Sequence, residues 1–230
     1  MYNISVAVVG SDFGINVGYI SRVMKNFGLK SLYLIDFNFN IQDSLIFSSH
    51  GADIIKKAKT TNWKIISKNF DLIIGTSAIN SDNLNNISRT TISLKELNNK
   101  LTQFSGNICI ILGRDTTGLT NNELRLCDLI VTIDTGTNYQ TLNISHALSI
   151  ILYELSIPNN VVHKQLASNF HKELFITYCL KLAKELNFPE YRIVLLDKAF
   201  KQILGRSLPT KRELSLITGL IRKGLLALIK

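Results

Sequence analysis

Cysteine, proline and tryptophan are scarce in this chain of 230 residues, which has three Cys, three Pro and one Trp. Cys109, Cys127 and Cys179 are odd in number and widely spaced, which fits reduced thiols and excludes a disulfide framework or a zinc site. His50, His146, His163 and His171 have no metal-ligand spacing, so no metal is expected. No apolar run reaches the roughly 18 residues that span a bilayer. The amino terminus lacks the basic region and cleavage site of a secretory signal, so a cytoplasmic protein without membrane contact is expected. A dinucleotide fingerprint is missing too. The first glycine-rich turn reads Gly10-x-x-x-Gly14-x-x-x-Gly18 and carries no Lys-Ser/Thr for a phosphate loop.

Acidic residues are in short supply in one place only. Residues 157–230 hold 13 Lys and Arg against 5 Asp and Glu, whereas residues 1–156 hold 13 against 12. Eight of the nine net positive charges therefore sit in the last third, which points to a polyanion-binding appendage ahead of ordinary solvated helix faces. The division follows the composition: a domain over 1–156, a linker over 157–166 and a basic helical domain over 167–230.

The first part alternates strand and helix patterns. Ile4 to Val9, Leu32 to Ile35 and Asp71 to Ile74 read as strands, and Ile108 to Leu112 and Leu129 to Ile133 are continuous apolar runs suited to strands buried on both faces. The spacing predicts helices over 16–27, 44–59, 94–104 and 142–155, and a short strand over 63–66. The helix 142–155 is apolar nearly all round and must be buried under the sheet or against another subunit. Three helices follow: 165–186; 191–204, ended by Gly205; and 211–230, capped by Thr210 with Glu213 at the capping-box position. In a parallel sheet, ligands bind outside the carboxyl ends of the strands, so the turns after these strands are the candidate site.

Three of those turns carry a resemblance. Asn16 and Arg22 flank a small-residue turn that runs into Met24-Lys25-Asn26-Phe27-Gly28-Leu29, although Ile15 stands where Gly is commoner. Gly113-Arg114-Asp115-Thr116-Thr117-Gly118-Leu119 and Leu142-Asn143-Ile144-Ser145-His146-Ala147 follow in order. Together they resemble the three motifs of the SPOUT class of S-adenosylmethionine-dependent RNA methyltransferases, and within it the TrmJ-like tRNA ribose 2'-O-methyltransferases. Asp115 stands where Glu is commoner and Thr141 where Ser is, each preserving the donor or acceptor type.

The resemblance implies an α/β SPOUT domain with a parallel sheet and a deep trefoil knot over about 75–155, homodimeric through that domain, followed by a small helical tRNA-binding domain. It implies that Thr76, Ser77, Ala78, Gly113, Ile133, Thr141, Leu142, Asn143 and Ile144 contact S-adenosylmethionine. Arg22 would act on the ribose hydroxyl while bound to the adjoining phosphate, a task suited to a planar guanidinium. A guanidinium keeps its proton near neutral pH, so phosphate or substrate would have to assist. Asn16 would orient Arg22 or the hydroxyl, and Arg114 would hold phosphate or pair with Asp115.

The implied substrate is nucleotide 32 of the tRNA anticodon loop, cytidine or uridine, against the alternatives of ribosomal RNA or a non-catalytic RNA-binding factor. The basic cluster Lys198, Lys201, Arg206, Lys211 and Arg212 is the expected phosphate-contacting patch. Arg89, in a polar Asn-rich stretch, reads as a solvated charge or a further RNA contact.

Overall fold

The computed structural model describes residues 2–79, 90–156 and 166–228. Arg89 and all of the expected linker except Leu166 lie outside the described residues. In chain order the elements are β1 (Tyr2–Val9), α1 (Gly14–Asn26), β2 (Leu32–Ile35), α2 (Ile41–Ser48), α3 (Ala52–Lys56), β3 (Lys59–Thr60), α4 (Trp63–Asn69) and β4 (Leu72–Thr76). Then come β5 (Ile92–Ser93), α5 (Leu94–Leu101), β6 (Gly106–Leu112), α6 (Asn121–Arg125), β7 (Leu129–Thr132) and α7 (Ile144–Ser156). The tail consists of α8 (Asn169–Glu185), α9 (Glu190–Ser207) and α10 (Lys211–Leu228).

Among the described residues seven strands form one parallel sheet in the order β3-β2-β1-β6-β4-β7-β5. Strand alternation sorts the apolar runs between the two faces. Val6, Val8, Ile108 and Ile110 meet the buried sides of α1, α5 and α7, while Ala7, Val9, Cys109 and Ile111 meet Ile66 of α4 and Leu124 of α6. The central strands are covered on both faces, as continuous apolar runs require. Among the described residues the two-residue β3 and β5 lie at the edges, too short to template pairing with another chain. β4 is flanked by β6 and β7, both later in the chain, so its carboxyl end is surrounded by the turns that follow them.

Two expected elements differ. The span 63–66 is not a strand: Asn62 Oδ1 accepts from Ile65 N at 3.1 Å and starts α4, a cap that outweighs the β preference of Trp-Lys-Ile-Ile. The helix over 44–59 is broken at Ser49, which has φ +48°, and resumes after Gly51 as α3. A Cβ on Gly51 would lie 2.6 Å from the Ser21 backbone, so this break lets the chain close against α1.

The tail has its own core of Ala167, Phe175, Ile176, Cys179, Leu204 and Leu214. Thr210 and Glu213 form the expected capping box: Glu213 N donates to Thr210 Oγ1 at 3.2 Å and Thr210 N to Glu213 Oε2 at 2.7 Å. Gly205 does not end α9, which continues to Ser207 and stops at Leu208 in the left-handed region. Among the described residues no helix is long and apolar enough to cross a membrane.

Candidate active site

The carboxyl ends of β4, β6 and β7 open into a cleft of about 170 Å³. Thr76, Ser77 and Ala78 form one wall, Gly113 and the hairpin Arg114 to Gly118 a second, and Ile133, Thr141, Leu142 and Ile144 a third. Local hydrogen bonds fix each wall. Thr76 Oγ1 donates to Ile111 O at 3.0 Å, tying the end of β4 to β6, and Ser77 N donates to Val131 O at 3.0 Å. The hairpin closes through Arg114 N to Gly118 O at 3.2 Å and Gly118 N to Arg114 O at 3.0 Å. A Cβ on Gly113 would lie 2.3 Å from the Gly118 carbonyl carbon, so only glycine lets the hairpin fold back over the strand end.

The lining is apolar at the base, with Leu112, Leu119, Val131 and Ile151, and carries the hydroxyls of Thr76, Ser77, Thr116, Thr117 and Thr141. An adenosyl and methionyl ligand asks for that combination of apolar surface with neutral hydrogen-bonding groups. The residues present therefore fit S-adenosylmethionine. Among the described residues no cluster of His, Cys, Asp or Glu is arranged to hold a metal.

Asn143 does not line the cleft. Its Oδ1 accepts from Ser145 N at 2.9 Å and Ser145 Oγ at 2.7 Å at the start of α7, and its Nδ2 donates to Asn16 Oδ1 at 3.0 Å. Asn16 Nδ2 in turn donates to Asp115 Oδ1 at 2.6 Å, and Ser11 Oγ to Asp115 Oδ2 at 3.4 Å. The three motifs thus meet in one network, with Asn143 as a polar link and not a cleft wall. Burial raises the Asp115 carboxyl above its ordinary value, opposed by the hydrogen bonds from Ser11 and Asn16.

Arg114 does not pair with Asp115 and is not presented as a free phosphate ligand. Its Nη1 and Nη2 grip Glu123 Oε2 and Oε1 at 2.9 and 3.1 Å, and the hydrogen bond to Glu123 raises its pKa further. Burial pushes the Glu123 carboxyl up, but the hydrogen bonds from Arg114 and Thr120 outweigh it and hold the group below its usual range. Gly10, at φ +62°, makes room: a Cβ there would stand 2.6 Å from Arg114 Nε. Sequence reasoning singled out Gly10 in its glycine-rich turn but not its place beside Arg114, and missed Ser11 and Glu123. The signal for Glu123 was present, since Thr120-x-x-Glu123 is a capping box ahead of α6.

Arg22 is exposed on α1, six residues after Asn16, outside the lining of the cleft in its own chain. The expected phosphate patch is divided. Lys198 is 5% exposed and donates to Leu124 O at 2.9 Å, which corrects its reading as a surface cation. Lys201 pairs with Asp197 at 2.9 Å, and Arg206 is half-buried, its carbonyl taken by Lys100 Nζ at 2.6 Å. Lys211 and Arg212 are exposed at the start of α10.

The profile of the SpoU rRNA methylase family matches residues 3–153. The chain is 33% identical over 218 residues to a tRNA (cytidine-2'-O-)-methyltransferase TrmJ of Methanocaldococcus jannaschii, covering 91% of this chain and 94% of that protein. Its fold is that of TrmJ from Z. mobilis ZM4, with TM-score 0.73 at 18% identity over 95% of this chain and 97% of the other. The SpoU methyltransferase AviRb from Streptomyces viridochromogenes, solved in complex with AdoMet, shares the fold at TM-score 0.53 and 20% identity over 66% and 59% of the two chains. With strand-end turns, motif order and sequence agreeing, the chain belongs to the SpoU rRNA methylase family.

Proposed function

We propose that this protein is a tRNA ribose 2'-O-methyltransferase that uses S-adenosylmethionine. The observation that carries the reading is the junction of the cleft with the Asn16, Asp115 and Asn143 network through the hairpin Arg114 to Gly118 that follows Gly113. The tRNA preference rests on the Methanocaldococcus relative, and the cofactor on the fit of the cleft together with the AdoMet complex of AviRb.

Bound in the cleft, S-adenosylmethionine supplies an electrophilic methyl carbon on a sulfonium that is already a good leaving group. The protein's contribution is position and electrostatics. Thr76, Ser77, Ala78 and Thr141 offer hydrogen bonds at the rim, and Ile133, Leu142 and Ile144 exclude water from the apolar part. Asn16, held between Asp115 and Asn143, orients the incoming ribose. Arg22 grips the phosphate beside that ribose and lowers the cost of removing the hydroxyl proton.

The site works as a homodimer in this reading. α1 packs on α7, whose outward stripe carries His146, Ile150 and Tyr153, with Tyr153 64% exposed. In this reading a second copy covers that stripe, and each subunit's Arg22 serves the neighbouring cleft. The target is nucleotide 32 of the anticodon loop, cytidine or uridine, in the cytoplasm. Lys211 and Arg212 serve as phosphate contacts: they stand exposed in the first turn of α10, where the helix dipole disfavours cations.

Incubation with methyl-labelled S-adenosylmethionine and unmodified transcripts tests the reading. Label in tRNA is the expected result. Label confined to ribosomal RNA would replace the substrate, and no transfer to any RNA would remove the activity.

A further inference from the structure

The tail docks on the catalytic body through side-chain N–H groups aimed at main-chain carbonyls. Lys198 Nζ donates to Leu124 O at 2.9 Å, Lys172 Nζ to Asp71 O at 2.7 Å and Asn169 Nδ2 to Ser67 O at 2.6 Å, while Lys100 Nζ reaches back to Arg206 O at 2.6 Å. Two of these lysines are nearly sealed from water, Lys172 at 4% and Lys198 at 5% exposure. Burying an ammonium is costly unless its hydrogens are taken up, so such contacts are exacting about geometry.

Lys198 stands apart because of what lies behind its partner. Leu124 belongs to α6, a five-residue helix; its carbonyl also accepts from Cys127 N at 3.3 Å, so Lys198 takes its second lone pair, and a cation at that helix end is electrostatically favoured. One residue earlier, Glu123 caps α6 and holds both Nη atoms of Arg114, the first residue of the cleft hairpin. Nearby, a Cβ on Gly205 would lie 2.5 Å from Asp128 O, so α9 sits against the turn between α6 and β7. Asp128 Oδ2 accepts from Ile73 N at 2.8 Å, linking that turn to the strand that ends in Thr76. α9 therefore braces two walls of the cleft from behind. Burial also lowers the Lys198 ammonium to about 8, as a desolvated group requires.

We propose that Lys198 is a positioning residue for methyl transfer: by holding the Leu124 carbonyl it fixes α6, and through Glu123 it sets Arg114 and the cleft hairpin within the same chain. The tail then shapes the active site as well as meeting RNA. The inference rests on the methyltransferase reading above.

The test compares full-length Lys198→Met and Lys198→Arg with the unaltered protein for kcat, for KM toward tRNA and cofactor, and for far-ultraviolet circular dichroism. The expected result is a folded Lys198→Met protein whose kcat falls about tenfold or more, by misplacement of the reacting groups, with KM for tRNA nearly unchanged and much of the loss recovered in Lys198→Arg. A Lys198→Met kcat within twofold of the unaltered protein overturns the proposal. So does a loss confined to KM for tRNA, which would make Lys198 an RNA contact. Should Lys198→Met fail to fold, amide hydrogen exchange on the unaltered protein decides. Adding S-adenosylhomocysteine should slow exchange in α9 around residues 194–202 as well as in 114–127, and protection that never reaches α9 overturns the proposal. An unaltered protein without activity on any RNA would instead remove the methyltransferase reading.

Discussion

Asn16 and Asp115, 99 residues apart in the chain, share a 2.6 Å hydrogen bond at the mouth of the cleft. Asn16 is also the acceptor for Asn143, so one amide in the first turn of α1 joins the hairpin after β6 to the start of α7. Asn16→Ala should fold, bind cofactor with near-normal affinity and lose about one to two orders of magnitude in kcat, the range expected when a substrate-orienting group is removed. Steady-state kinetics beside calorimetry with S-adenosylmethionine checks this.

Gly113 allows no side chain, because its Cβ would stand 2.3 Å from the Gly118 backbone. Gly113→Ala should force the hairpin off the strand end, lowering cofactor affinity by at least tenfold, about 1.4 kcal/mol. It should also lower the unfolding temperature. Gly219→Ala, which meets open space inside α10, is the control: cofactor affinity should not change, and the unfolding temperature should hold or rise, because alanine is the better helix former by about 0.5 to 1 kcal/mol.

Lys211 and Arg212 are the exposed members of the basic cluster. Replacing both with Ala should weaken tRNA binding and flatten its dependence on salt, by a log–log slope of roughly 0.7 to 0.9 for each lost phosphate contact. The slope should not change in Lys198→Met. Filter binding across a salt series gives both numbers.

Lys198 predicts a pH dependence of opposite sign to that of an ordinary surface ion pair. Its pKa falls from the ordinary 10.5 to about 8 on folding, so between those values the native chain gives up the proton that the unfolded chain still holds. Stability rises with pH wherever the unfolded state binds more protons, here by up to about 1.4 kcal/mol per pH unit for one group. The unfolding free energy of the unaltered protein should therefore gain on that of Lys198→Met from pH 8 to pH 10 in urea titrations. A flat difference would mean that Lys198 is solvated as in the unfolded chain, and a falling one that the fold favours its charged form; either contradicts the prediction.

Strand identity was legible because strands buried on both faces leave unbroken apolar runs such as Ile108 to Leu112, and Thr210 with Glu213 announced α10 by its cap. What stayed hidden depends on partners distant in sequence. Nothing local distinguishes Lys198, held at Leu124 O, from Lys211, exposed in solvent, since both lie in the same basic run. Arg114 looked available because Glu123 was read as neither cap nor partner, although its side chain is both. Gly205 was read as a helix stop when its real constraint is Asp128, on the other side of the docked interface. The cleft itself was readable from turn chemistry, since Thr76, Gly113, Ile133 and Leu142 all line it, whereas the contact of Asn143 with Asn16 joins residues 127 apart in the chain.

The central claim is transfer of a methyl group to a ribose hydroxyl with Arg22 at the reacting end. Nucleoside mass spectrometry of digested tRNA, after reaction with the unaltered protein and with Arg22→Ala, tests it most directly. The account predicts a single 2'-O-methylated nucleoside at position 32 of the anticodon loop, absent with Arg22→Ala although that variant still folds and binds S-adenosylmethionine. A methyl group on a base, or an undiminished ribose methyl in the Arg22→Ala reaction, would contradict it.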